Sequence, residues 1–565
     1  MRRISKITTI AVLMASWAFL AAAQTPPPGS PVATHGQLSV DGNRIVNSRG
    51  EPVQLRGMSL YWSIGGGVDF YTAAVVQHLR SDWQADVVRA AMAVERNFNN
   101  EQRGFIADPE GNRSRLLTVV NAAIAQGMYV IIDWHSYIAE INQQQAVTFF
   151  KAMATQFKGV PNVIYEIYNE PNGICGPSGQ NPCPGFTAAQ NGGTALPSNR
   201  NPHTPWGVIR GYMQAVTDSI RAIDPDNLIL IGTPDWCQRP DIATATGSAI
   251  TGKNLVYTAH FYAGQNDPAH RGDLRNRIMA AMDRGFPVFV SEFGLTNAQG
   301  TGALDLDETT RWLDFLDFHH IGWANWSITN LGETSGAIQS GNGLNPSQWQ
   351  LKPSGTYMRN RLRAPRSTTT PFRLLRVRSA SVDGSEVPSH TIAVSVNNVN
   401  TTNGGTHTYV VDPNVNAAVT VIPPWSNPAI GTWRFIRWEG DTQGATPGAT
   451  PTVLNVPMNN INRTITAVFE YEPVIVSTLP HGASAPAVRW SVARSGNGLI
   501  LAGPSAAEAS LYNMRGKQIG RFTYDGSGRA LAIGGQNMPA GRYMVVVRDI
   551  ATGREVYRDR VMMVR

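Results

Sequence analysis

The chain has 565 residues, 42% of them hydrophobic and 15% charged, with 54 Gly and 36 Pro. Such a composition supports large buried cores and excludes a fully disordered chain, a coiled coil or an acidic binding tail. The formal net charge of +7 includes Arg2, Arg3 and Lys6 of the N-terminal segment, and no later run of Lys or Arg could follow a series of phosphates. Nucleic acid is not an expected partner.

Residues 1–23 read as a secretory signal: a basic start, the apolar stretch Ile7–Leu20, and Ala21-Ala22-Ala23 ahead of Gln24. The apolar run is shorter than the ~20 residues of a spanning helix, and no later segment could span a bilayer. Export permits a disulfide, and three cysteines are too few for a disulfide scaffold. Cys175 and Cys183 flank a Gly/Pro/Asn-rich loop and form the expected pair, with Cys237 unpaired or, alternatively, joined to one of them.

After a Pro-rich segment, 24–36, residues 37–363 repeat one theme, a short apolar run followed by a segment of helical period. The runs are Val53–Leu60, Val87–Val94, Met128–His135, Val163–Glu170, Leu228–Pro234, Leu255–Tyr262, Pro287–Gly294 and Ile321–Ile328. Helices are predicted over Tyr71–Trp83, Arg113–Gln126, Gln143–Phe157, Trp206–Ile223, Asp273–Arg284 and Glu308–Phe318. Eight strand–helix units predict an α/β fold, a (β/α)₈ barrel of the TIM type, and the long gap after Glu170 reads as an insertion at the cleft.

Barrels present catalytic groups at the C-terminal ends of their strands. Here those ends carry Tyr61-Trp62, Arg89, Asp133-Trp134-His135, Asn169-Glu170, Asp235-Trp236, His260-Phe261-Tyr262, Glu292 and Trp326. Glu170 and Glu292 face each other across the mouth at an expected ~5 Å, the spacing of a retaining glycosidase. Tyr262 and Arg89 suit the role of keeping one carboxylate ionised while seclusion protonates the other. Trp62 and Trp206 are the further candidates for sugar stacking, whereas Trp134 and Trp236 are read as core or rim. No metal is expected, because His-x-His and His-Glu-x-x-His are absent, and Gly65-Gly66-Gly67 lacks the pattern of a phosphate loop.

The motifs Val88-Arg89, Asp133-Trp134-His135, Tyr165-Glu166-Ile167-Tyr168-Asn169-Glu170-Pro171, His260-Phe261-Tyr262, Ser291-Glu292-Phe293-Gly294 and Asn325-Trp326-Ser327 resemble glycoside hydrolase family 5, particularly its bacterial endoglucanases. The resemblance implies Glu170 as general acid/base and Glu292 as nucleophile, without a cofactor. It implies Asn169 on the sugar 2-hydroxyl, and Arg89, His135, His260 and Tyr262 as orienting groups. Trp326 would be a stacking platform and Glu333 a hydroxyl contact. Tyr61 stands where many relatives place a His, and Leu331 where some place a Lys, which bears on subsite preference. The implied activity is a secreted endo-β-1,4-glucanase (cellulase) acting on β-glucan as a monomer. The alternatives are a β-mannanase or mixed-linkage glucanase on the same barrel, a non-catalytic glycan-binding surface protein, and a metal-dependent hydrolase.

Residues 364–370 form a Ser/Thr-containing linker, and the remainder reads as two small all-β sandwich-like domains, 371–473 and 488–565. The first resembles the β-repeat of internalin-type surface proteins and is read as a spacer, with glycan binding by Trp425, Trp433 or Trp438 as the alternative. The second, through Leu511–Lys517 and Met538–Tyr543, resembles C-terminal sorting domains of the type IX secretion system. That implies the secretion machinery as a partner and the outer surface or surroundings of a Gram-negative bacterium as destination.

Overall fold

The computed structural model describes residues 25–96, 103–171, 206–267, 269–342 and 344–382, and most of the strands and turns between 387 and 563. The predicted signal segment, the expected pair Cys175 and Cys183, and Trp425 lie outside the described residues. The chain divides into two units, Met1–Thr370 and Pro371–Arg565.

The first unit opens with a short helix, α1 (Pro31–His35), and a hairpin, β1 (Ser39–Asp41) with β2 (Arg44–Val46). Eight parallel strands then close a barrel: β3 (Arg56–Leu60), β4 (Val87–Ala93), β5 (Tyr129–His135), β6 (Val163–Glu166), β7 (Ile229–Ile231), β8 (Leu255–Tyr262), β9 (Val288–Gly294) and β10 (Trp323–Ile328), with β10 pairing back onto β3. Every residue of these strands is buried. Their bodies are therefore mainly apolar, without the alternation of a half-exposed sheet.

Helices α2 (Ala73–Ser81), α3 (Pro109–Gln126), α4 (Gln143–Phe157), α5 (Trp206–Arg221), two single turns α6 (Pro234–Cys237) and α7 (Pro240–Ala243), then α8 (Leu274–Asp283), α9 (Leu306–Phe318) and α10 (Pro353–Arg363) run between and after the strands. Local chemistry sets their ends. Asp108 accepts from the Gly111 amide ahead of Pro109 to start α3, Gly127 at φ 62° closes it, and Asp305 caps α9 through the Glu308 amide. Ala73–Ser81 is shorter than the predicted Tyr71–Trp83 because Thr72 takes the N-cap, accepting from the Val75 amide.

The two ends of the barrel differ in chemistry. Leu38, Ile45, Val53, Leu55, Val87, Tyr129, Leu228, Leu230, Val256 and Phe289 form one apolar cluster that brings the N-terminal hairpin residues together with the strand starts. The strand ends carry acids, imidazoles and one guanidinium, all buried. The Glu-bearing end of β6 continues past its ladder as Ile167–Glu170, and α6 follows β7 with three successive residues in the left-handed region: Asp235 (φ 53°), Trp236 (54°) and Cys237 (59°).

The described elements of the second unit are all strands. Two five-stranded sheets share a core of Leu375, Val377, Tyr409, Val419, Val456, Ile465 and Phe469, against which Trp433, Phe435 and Trp438 pack. Beyond them a three-stranded sheet (Ser491–Ser495, Gly498–Ala502, Leu531–Ile533) and a four-stranded antiparallel sheet (Ala507–Asn513, Gln518–Tyr524, Gly541–Asp549, Glu555–Met563) complete the chain.

Candidate active site

The chain after β6 hangs from the end of β5. The Asn169 amide donates to the Trp134 carbonyl and the Glu170 amide to the Ser136 carbonyl, both at 3.2 Å. This places Glu170 across the mouth from Glu292 in β9. One oxygen from each carboxylate and a ring nitrogen of His260 all lie within 4.8 Å of one another. Glu170 is 8% exposed and Glu292 4%, so solvent reaches the pair from one side only.

The two carboxylates have different company. Glu292 accepts from the Tyr262 hydroxyl at 2.6 Å on Oε1 and from Arg89 Nη1 at 2.8 Å on Oε2. Glu170 Oε1 faces His260 Nδ1 at 3.0 Å. Burial, and then the neighbouring Glu292 charge, push the Glu170 carboxyl well above the usual carboxylate range.

Arg89, fully buried in β4, is the hub. Its Nε donates to Glu166 Oε2 at 2.6 Å, its Nη2 donates to Asn169 Oδ1 at 2.6 Å and lies 2.9 Å from Asp133 Oδ2, and its Nη1 reaches Glu292. Burial alone would disfavour the cation, and the three carboxylates outweigh it. One guanidinium does not neutralise them all: burial drives Asp133 and Glu166 each up to about 8. With its Oδ1 tied to Arg89, Asn169 has a buried Nδ2 that no described protein group accepts from.

His135 Nδ1 lies 2.6 Å from Asp133 Oδ2, and its ring stacks on Trp326 at 5.3 Å between centroids. Burial and then the Arg89 charge hold both His135 and His260 well below the ordinary imidazole value, so both rings are neutral. His260 also meets Ser291 Oγ at 2.9 Å through Nε2. Both its nitrogens are thus engaged, Nδ1 with Glu170 and Nε2 with Ser291.

Around this centre stand Trp326, 7% exposed, and Tyr61, whose rings are 5.4 Å apart. The Tyr61 hydroxyl lies 3.4 Å from Glu333 Oε1. Trp62 is 6% exposed, stacks on Tyr61 and carries the Arg96 guanidinium 4.4 Å over its ring. Leu331 lies where a Cβ on Gly66 would fall, 2.5 Å from Leu331 Cδ2, and Lys352 donates to the carbonyls of Leu331 at 2.5 Å and Glu333 at 2.6 Å.

Of the residues singled out in the sequence, Arg89, His135, Asn169, Glu170, His260, Tyr262, Glu292, Trp326, Tyr61, Trp62 and Glu333 come together in this way. Trp206 does not join them: its indole N–H donates to the Ser248 carbonyl at 3.0 Å, and among the described residues no ring contact or hydrogen bond links it to the cluster. Sequence reading gave no role to Asp133, Glu166 or Ser291, although all three lie in the motifs. The available signal was a carboxylate within an otherwise apolar strand, which needs a buried partner.

Comparison with known proteins agrees with this geometry. Residues 46–332 match the model of the cellulase family, glycosyl hydrolase family 5. The chain is 41% identical over 300 residues to Endoglucanase Z of Dickeya dadantii, a match covering 52% of this chain and 60% of that protein. It is 37% identical over 364 residues to Endoglucanase N of Pectobacterium atrosepticum, covering 63% of this chain and 71% of that one. Among solved structures, the catalytic domain of Thermobifida fusca endoglucanase Cel5A superposes with a TM-score of 0.50 at 30% identity, covering 60% of this chain and all of that domain. An eight-stranded barrel with its acids gathered at the strand ends and a family match across half the chain lead to one assignment: this chain belongs to glycosyl hydrolase family 5, the cellulase family, and is a glycoside hydrolase.

Proposed function

We propose that the chain is a secreted, retaining endo-β-1,4-glucanase cleaving internal bonds of cellulose or a related β-glucan. The observation that carries the mechanism is the approach of Glu170 and Glu292 to within 4.8 Å. Retaining glycosidases hold their carboxyls ~5–5.5 Å apart and inverting ones ~6.5–9.5 Å, so there is no room here for a water between carboxylate and sugar.

Glu292, oriented by its bonds from Tyr262 and Arg89, attacks the anomeric carbon and forms a glycosyl ester. Glu170, protonated through burial, gives its proton to the departing oxygen. It then takes a proton from the water that hydrolyses the ester, restoring both groups. The unpaired Asn169 Nδ2 is available to a sugar hydroxyl beside the reacting carbon. Trp326 offers an indole face to a glucose ring, and the Tyr61–Glu333 pair offers hydroxyl contacts. Trp62, covered by Arg96, serves as wall. The names of the similar endoglucanases support the same substrate class.

Export through the leader, and residues 488–565 as an outer-surface sorting module, belong to this reading. So does 371–473 as a spacer, since Trp433, Phe435 and Trp438 serve the core of their own sheets.

The test is loss of viscosity and release of reducing ends from carboxymethyl-cellulose, mixed-linkage β-glucan and galactomannan, with and without a chelator. A glucan should thin rapidly and chelator should change nothing. Glu292→Gln and Glu170→Gln should each lower the rate by ~10³-fold or more. Thinning of galactomannan alone would make the protein a mannanase. Activity surviving Glu292→Gln would remove the nucleophile assignment.

A further inference from the structure

The first unit holds ten tyrosines, and nine of them bond their hydroxyls to a carboxylate, a backbone group or another hydroxyl. Tyr137 is the tenth. Among the described residues nothing donates to its hydroxyl or accepts from it. The residue is half-buried, yet its oxygen is not one of the sealed, unbonded polar atoms of the molecule, so it opens to solvent. An unbonded hydroxyl on a largely covered side chain needs water or a ligand to satisfy it.

Its surroundings are those of the catalytic centre. Tyr137 stands two residues past His135, where β5 ends. Its ring meets the His135 ring nearly perpendicularly at 6.0 Å between centroids and lies 6.4 Å from that of Trp62. It packs with Tyr61 on the cluster that holds Trp62, Ala93 and Trp326. Because His135 in turn stacks on Trp326, a single ring separates Tyr137 from the indole read as the glucose platform. The ring is committed to this packing, and the hydroxyl is what remains to offer.

The backbone beneath is held from several sides. The Tyr168 hydroxyl donates to the Tyr137 carbonyl at 2.9 Å, and the Ile138 amide donates to Ser136 Oγ at 3.1 Å. The Ser136 carbonyl takes the Glu170 amide, so one short stretch carries Tyr137 and anchors the segment of Glu170. Burial, then the Glu170 and Glu292 charges, push the phenol well above its usual range, which leaves it a neutral donor.

We propose that Tyr137 is a further substrate-binding residue, its hydroxyl donating to a ring hydroxyl of the sugar held between Glu170 and Glu292, on the side of His135. The proposal rests on that pair being the site of cleavage.

The experiment uses the full-length protein and Tyr137→Phe, which keeps the ring and removes one oxygen. One substrate is 2,4-dinitrophenyl cellobioside, which places sugar only on the non-reducing side of the cleaved bond, and the other is cellotetraose. The variant should lose roughly 3- to 10-fold in kcat/KM on both, the scale of one neutral hydrogen bond. Its melting temperature should stay within about 1 °C of the wild type, since no bond to protein is lost.

Unchanged kcat/KM on both substrates overturns the proposal and leaves a phenol that faces water. Loss confined to cellotetraose overturns the placement, because the hydroxyl then serves the leaving sugar. A melting temperature lowered by several degrees makes the hydroxyl a structural group. Glu292→Gln with wild-type turnover of the dinitrophenyl substrate instead removes the catalytic pair, and the proposal with it.

Discussion

At the scale of single residues, the strand ends hold four carboxyls, Asp133, Glu166, Glu170 and Glu292, around one arginine. Two further buried groups belong to the same neighbourhood. Ser136, whose carbonyl holds the Glu170 amide, donates its hydroxyl to Glu95, and burial raises the Glu95 carboxyl to about 7 despite that bond. A folded-state value above the unfolded one means that the native protein keeps a proton the unfolded chain releases. The resulting stability is fully present below about pH 4.5 and is lost as pH rises through about 7. Glu95→Gln lacks this dependence. Between pH 5 and pH 8 its urea stability should therefore gain on the wild type by up to roughly 3 kcal/mol. Parallel stability curves would show that Glu95 is not the group that titrates.

At the scale of elements, all eight strands and six of the helices were legible in the sequence, because a fully buried parallel strand leaves a continuous apolar run and a surface helix leaves its period. The hairpin of β1 and β2 escaped, since Ser39–Asp41 and Arg44–Val46 are too short to show alternation. The α10 helix escaped as well: Pro353–Arg363 buries Ser354, Gly355, Met358 and Leu362 on a face with only two large apolar side chains. The closeness of Glu170 and Glu292 was legible because glutamates after β6 and in β9 follow apolar strand bodies. Arg89 beside one carboxylate was read as well, but its bonds to Asp133, Glu166 and Asn169 and the His260–Ser291 contact were not, because a side-chain network across five strands leaves no spacing in one chain.

The missed α10 also bears on substrate binding. Lys352, at its start, fastens the carbonyls of Leu331 and Glu333 and so holds the loop that carries the Glu333 carboxyl beside Tyr61. Lys352→Ala should raise KM for cello-oligosaccharides by roughly 3- to 10-fold with kcat little changed, the scale of one or two lost hydrogen bonds. A fall in kcat with KM unmoved would place the loop's role in the chemical step instead.

At the scale of the molecule, every residue placed in the cluster belongs to the unit ending at Thr370. A chain ending there should keep kcat/KM on soluble glucan within about twofold, because no catalytic contact is removed. Comparing the two chains on insoluble cellulose then reads the second unit separately. Equal binding would fit a spacer, and weaker binding by the shortened chain would show that the second unit holds glycan. Among the described residues no helix is long and apolar enough to cross a membrane.

The turn after β7 has a bearing on how this enzyme can vary. Three consecutive side-chain-bearing residues, Asp235, Trp236 and Cys237, occupy a conformation that disfavours L-residues by ~1–2 kcal/mol each. The thiol of Cys237 reaches the Asn169 carbonyl at 3.0 Å, so the turn leans directly on the segment bearing Glu170. A search for thermostable variants would be drawn to glycine at these positions, where relaxing the backbone is rewarded at once. The same exchange at Cys237 would remove the buried thiol that bonds the Asn169 carbonyl, so what relaxes the turn also loosens its hold on the segment bearing Glu170.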